Sequence, residues 1–101
     1  MKVRFRNRAR EDIRSIYQYR SNEHSPTVAV SVEVAIRSAA KMLGEHPETG
    51  KETNHRGVRR WPIKKYRYTI FYIINWLEGA IEVVRVVASG RVRNLKRVPK
   101  K

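Results

Sequence analysis

The chain has 101 residues, with 23 Lys plus Arg against 9 Asp plus Glu, and no cysteine. That length fits one domain with a modest core. The missing thiols exclude disulfides, cysteine nucleophiles and thiolate metal sites, and no apolar run approaches the ~20 residues of a membrane-crossing helix. A formal charge of +14 attracts polyanions and speeds their encounter, so nucleic acid, the ribosome and acidic proteins become the partners to test.

Residues 2–7 alternate, with Val3 and Phe5 set against Lys2, Arg4 and Arg6, which predicts a strand. This opening lacks the apolar stretch of a secretory signal, so a soluble cytoplasmic protein is expected. Asn7 is a candidate helix cap, with Glu11 and Asp12 in the first turns, where the dipole favours negative charge. Ala9, Ile13, Ile16 and Tyr17 form one apolar stripe at helical spacing, which fades near Ser21 and Asn22. Ser25-Pro26 starts a second helix, because serine caps and proline suits the first position. Val28, Val32, Ala35, Ile36, Ala39 and Leu43 mark its buried face, and Gly44 is the expected stop. Residues 45–56 are polar, hold Pro47 and Gly50, and read as a loop. Three strands follow, at 58–63, 66–74 and 80–87, with a hairpin turn at 75–79. Pro62 has no amide proton and belongs at a sheet edge or strand end. The order implies an α+β fold: an N-terminal strand, a two-helix hairpin, then a largely antiparallel sheet. One domain spans 1–101, with a basic C-terminal tail at about 92–101.

The segment from Gly57 through Arg60, Trp61, Pro62 and Lys64-Lys65 to Phe71-Tyr72 resembles the toxins of the RelE/ParE superfamily, on the ParE side. Ile81 to Val87, the small-residue break and Arg91 continue the likeness. So do Ala9, Asp12, Ile13 and Ile16 in the first helix, and Pro47 with Gly50 after the second. The resemblance spans roughly residues 3–93. It implies the toxin of a bacterial type II toxin–antitoxin pair of the plasmid-stabilising, growth-arresting kind. The partner implied is a cognate antitoxin, expected to carry an acidic segment and to cover the sheet face near Arg60, Arg85 and Arg91. Two activities occur on the fold. RelE-like members cut mRNA on the ribosome, and ParE-like members inhibit DNA gyrase by binding. No cofactor or metal is implied.

RNA cleavage needs basic groups around the phosphorane-like transition state and groups that move protons. Carried over from RelE-like members, the late arginine of the sheet matches Arg91. The arginine of the aromatic strand falls on Thr69, and Arg67, two residues earlier, is its stand-in on the same strand face. The two lysines fall near Arg60 and Pro62, with Lys64 and Lys65 out of register. The C-terminal tyrosine falls near Arg97, in a tail without tyrosine. The charge is kept and much of the proton-transfer set is not, since arginine stays protonated. The sequence therefore points to a ParE-like gyrase inhibitor. The alternatives are a RelE-like ribosome-dependent endoribonuclease using Lys64, Lys65, Arg67 and Arg91, or a basic nucleic-acid-binding module.

The binding residues expected for target or antitoxin are Arg60, Trp61, Arg85, Arg91, Arg93 and Arg97. Arg85 sits among valines and should face the open side of the sheet, or pair with Glu82 or Glu33. Tyr66, Tyr68 and Tyr72 share one strand face and read first as core, second as stacking platforms. Glu45, His46, Glu48 and His55 crowd one loop without matching a metal-site pattern. Trp76-Leu77 occupies the hairpin tip, as a partner contact or folded back on the sheet.

Overall fold

A computed structural model describes residues 1–92 of the chain. The elements run β1 (Lys2–Phe5), α1 (Asn7–Glu23), α2 (Pro26–Glu45), β2 (Lys51–Glu52), β3 (Arg59–Ile63), β4 (Tyr68–Asn75), β5 (Ala80–Ala88) and α3 (Ser89–Val92). The five strands form one sheet in the order β1-β5-β4-β3-β2. β1 runs parallel to β5, while every other pairing is antiparallel. The α+β architecture is the one the alternation pattern predicts.

The start of α2 has a local cause. The Ser25 hydroxyl accepts a hydrogen bond from the Val28 amide at 3.2 Å, and Pro26 fills the first helical position. The start of α1 differs from expectation. Its cap is Arg6, whose side chain makes no capping bond, and Asn7 lies inside the helix, bonded to Arg10. Gly44 does not end α2. It is buried under the N-terminal strand, where a Cβ would come within 2.9 Å of the Met1 carbonyl oxygen. The Met1 ammonium donates to the Gly44 carbonyl at 2.8 Å, so this glycine permits close approach rather than a turn.

The main core lies between the helix pair and one sheet face: Ala9, Ile13, Val32, Ile36, Ala40 and Leu43 against Tyr68, Ile70, Tyr72, Ile81, Val83 and Val86. Tyr68, Ile70 and Tyr72 share that face because strand side chains alternate. The alternate residues Phe71 and Ile73 belong to a second, smaller cluster with Val58, Val84 and Val87. A bulge lets β5 serve both clusters. Phe71 pairs with Arg85 but Tyr72 pairs with Val83, which leaves Val84 unopposed. An extra residue resets the alternation. Hence Val83 and Val86 both face the helices, while Val84 and Val87 both join the other cluster.

The loop expected at 45–56 contains the short strand β2, paired to Arg59 and Arg60. Tyr72 organises its approach. Its hydroxyl donates to the Pro47 carbonyl at 2.7 Å and accepts from the Gly50 amide at 2.9 Å. Burial holds the Tyr72 phenol above its usual pKa, against the opposing pull of the Gly50 amide. Pro62 pairs with Thr69 within β3. β2 reaches only as far as Arg60, so among the described residues no strand pairs with the outer side of β3 at Pro62, as its missing donor requires.

Candidate functional site

The structure separates the candidate residues into two basic hollows. The first lies between α1 and the far end of β4 and β5, with a volume of about 640 Å³. It gathers Arg67, Arg85 and Arg91 with Arg20 of α1, over a floor that includes Ile16, Tyr66, Tyr68 and Val86. The second, of about 840 Å³, lies at the open edge of β3. It gathers Arg60, Trp61, Lys64 and Lys65 with Lys51 of β2, and among the described residues no carboxylate lines it. The ribonuclease set proposed from sequence is thus divided, with its lysines in one hollow and Arg67 and Arg91 in the other.

Arg85 is not an open-face cation, and its partner is neither Glu82 nor Glu33. Its guanidinium donates to both carboxylate oxygens of Asp12 in α1, at 2.7 and 3.2 Å. The same carboxylate accepts the Val86 amide at 2.9 Å. β1 pairs with β5 only as far as Val83, so beyond that point Asp12 takes the role of a neighbouring strand. The bulge at Val84 turns Arg85 to the sheet edge, where this contact becomes available.

Arg67 also departs from the strand placement. It lies in the turn between β3 and β4, at φ +64°, where its amide bonds to the Ile63 carbonyl and its carbonyl accepts the Ser89 amide. It therefore does not share a strand face with Thr69. Thr69 itself is buried, and its hydroxyl lies 3.0 Å from that of Ser89. Trp61 is half-buried against the main core. Arg60, Lys64, Lys65 and Arg91 are exposed. Arg93 and Arg97 lie outside the described residues.

Of the tyrosines, Tyr68 and Tyr72 are buried and Tyr66 is half-buried, in keeping with the core reading. Tyr68 meets the first hollow through Arg20. The Arg20 Nε donates to its hydroxyl at 3.1 Å, and the guanidinium lies 5.4 Å from its ring centre. Such stacking and hydrogen bonding hold the cation in one orientation. Arg20 and Lys51 were not singled out from sequence, and Asp12 entered it only as an early charge of the first helix and as part of the family likeness. Asp12, Ile16 and Arg20 do recur every four residues, which marks one helix face and places both charges beside an apolar residue. Nothing local marks Lys51, because a two-residue strand has no periodicity.

The arginines of the first hollow equip it to hold an anion. Among the described residues its cations are arginines and its carboxylate is Asp12, which is occupied by Arg85 and the Val86 amide, and Tyr19, Tyr66 and Tyr68 line it as well. The polar loop with Glu45, His46, Glu48 and His55 does not form a cage: among the described residues, no group of three or more His, Cys, Asp or Glu is placed to hold a metal. No described helix is long and apolar enough to cross a membrane.

Solved structures repeat this fold. The chromosomal ParDE toxin–antitoxin system from P. aeruginosa aligns with a TM-score of 0.77 at 18% identity, over 87% of this chain and 95% of that one. The RelBE2 complex from Mycobacterium tuberculosis aligns at 0.61 and 21% identity, over 86% and 95%. The intact E. coli RelBE complex aligns at 0.59 and 16% identity, over 85% and 93%. No curated protein sequence matches the chain. The model of the ParE toxin of type II toxin–antitoxin systems, parDE, matches residues 3–93. With nearly all of its length inside that match, the chain belongs to the ParE toxin family.

Proposed function

We propose that this toxin inhibits DNA gyrase by binding, carries out no chemistry of its own, and is neutralised by a cognate antitoxin with an acidic segment. The observation that carries the reading is the fate of the strand position where RelE-like members hold an arginine. Here it is Thr69, buried and bonded to Ser89, with Phe71 and Val87 of the second apolar cluster near it in β4 and β5. A hydroxyl in that setting neither neutralises a phosphorane nor takes a proton from a ribose. The arginines of the first hollow hold anions but remain protonated.

The two basic hollows suit an acidic antitoxin segment. Arg60, Lys64 and Lys65 on one side, and Arg67 and Arg91 on the other, are exposed cations near apolar lining. Charge pairing of this kind speeds encounter and fixes orientation.

Controlled expression in bacteria tests the activity, with plasmid supercoiling followed while transcript ends are mapped. The expected outcome is loss of negative supercoiling with messages intact. New cut sites in ribosome-bound messages, with normal supercoiling, would replace this reading with a ribonuclease built on Arg67 and Arg91.

A further inference from the structure

The β4–β5 hairpin ends in an apolar tip that the core does not use. Leu77 is 96% exposed and Trp76 62% exposed. A two-aromatic-or-aliphatic tip of this kind is an unusual way to end a hairpin, since polar turn residues serve the backbone equally well.

The tip is held firmly. The Asn75 side chain accepts the Glu78 amide at 3.1 Å and donates to Glu82 at 3.1 Å. Gly79 takes φ +63°, a conformation that costs glycine little. Its carbonyl accepts the Lys2 amide at 3.0 Å, and Arg4 of β1 pairs with Glu78. The turn is thus tied both to its own hairpin and to the neighbouring strand. Two large apolar side chains are presented on a fixed frame, so little ordering entropy is lost when they are buried.

Charge selects the kind of partner. Glu78 and Glu82 neutralise Arg4 and Arg6 beside the tip, with Lys2 adding one positive charge, in a chain whose total is +14. The tip is therefore nearly neutral. It also lies at the Ala80 end of β5, whereas the arginine hollow lies at the Ala88 end, roughly 26 Å away at strand spacing. A polyanion is drawn to the far end. A neutral, rigid Trp-Leu pair fits an apolar pocket on a protein, where tryptophan is a frequent source of binding energy.

We propose that Trp76 and Leu77 are the anchor by which this toxin docks into an apolar pocket of its protein target, separate from the basic hollows. The choice of gyrase as that target rests on the reading above. The test is the doubly substituted chain Trp76→Ser, Leu77→Ser, compared with the unaltered protein and with Val30→Ser, Val34→Ser, two exposed apolar positions of α2 outside both hollows, as a surface control. Four readouts are needed: half-inhibition of purified gyrase, growth arrest on expression, sedimentation and thermal melting.

The expected result is a loss of about tenfold or more in gyrase inhibition, the scale of a lost interface anchor. Growth arrest falls in parallel, the melting temperature is unchanged, and the α2 control stays active. Unchanged inhibition and arrest overturn the proposal. If the unaltered chain arrests growth without touching gyrase, the gyrase reading fails. Arrest lost in the tip variant then still supports an anchor, and arrest retained overturns it. Unaltered chains that arrest nothing overturn it as well. So does a dimer that the tip variant alone dissolves while arrest persists, since the tip would then serve self-association.

Discussion

Two side chains hold positions that neither spacing nor propensity announces. The Tyr72 hydroxyl bridges Pro47 and Gly50, and a Cβ on Gly50 would fall 2.5 Å from that hydroxyl and 2.8 Å from the Arg60 carbonyl. Tyr72→Phe leaves a buried amide and a carbonyl without their partner, a cost of about 1–3 kcal/mol. Gly50→Ala must also push β3 aside. Both variants are expected to melt earlier than the unaltered chain in a thermal scan, Gly50→Ala even where Tyr72 is already Phe, because the Arg60 clash remains. Asp12 is the second case. Asp12→Ala strips both Arg85 and the Val86 amide of their acceptor, for roughly 1–3 kcal/mol. Asp12→Asn keeps one acceptor and should recover part of the loss in the same denaturant titration. A full recovery would show that charge on Asp12 contributes nothing.

Elements with their own periodicity or punctuation were legible in the sequence. Ser25-Pro26 marks the start of α2 to the residue, and Ser25→Ala should cost about 1 kcal/mol, measured as a lower urea midpoint with an unchanged slope. The alternation in β1 and the β-branched runs of β4 and β5 likewise announce themselves. What stayed hidden depends on distant neighbours. β2 exists only because Arg59 and Arg60 pair with it. The bulge at Val84 appears in the sequence as a run of valines, and only the partner strand shows which residue is extra. Arg67 reads as strand by composition, yet the turn demands its left-handed conformation. Glu82 of β5 is linked to the start of α1 through Arg6 at 2.6 Å and to β4 through Asn75 at 3.1 Å. The hydrogen bonds from Asn75 and Arg6 hold its carboxyl below the usual glutamate range. A depressed native pKa means that the unfolded state binds the proton first as pH falls. The stabilisation is therefore complete above the ordinary glutamate value and is lost as pH drops through the lower native one. Glu82→Gln should flatten the acid limb of a stability-against-pH curve, and an unchanged limb would assign the acid sensitivity to other carboxylates.

For the whole molecule, the charge gave the class of partner but not its address. The sequence named Arg60, Lys64, Lys65, Arg67, Arg85 and Arg91 without revealing that they split between two hollows, because the division depends on the β3–β4 turn and on where α1 crosses β5. Nor did it reveal that Arg85 is already committed to Asp12. If the hollows hold an acidic antitoxin segment, Arg60→Glu with Arg91→Glu should weaken the complex by tenfold or more, most visibly at low salt, where exposed charges are least screened. Arg85→Glu is expected to destabilise the fold as well, by placing a second carboxylate against Asp12, and so is the poorer probe of binding.

Action by binding, without cutting RNA, is the proposal for this member of the ParE toxin family. The direct measurement is to titrate the purified chain into a DNA gyrase supercoiling reaction, alongside ribosomes programmed with a defined message. Supercoiling is expected to fall as toxin approaches gyrase in amount, while the message stays whole. A message cut on the ribosome, with supercoiling untouched, would contradict it.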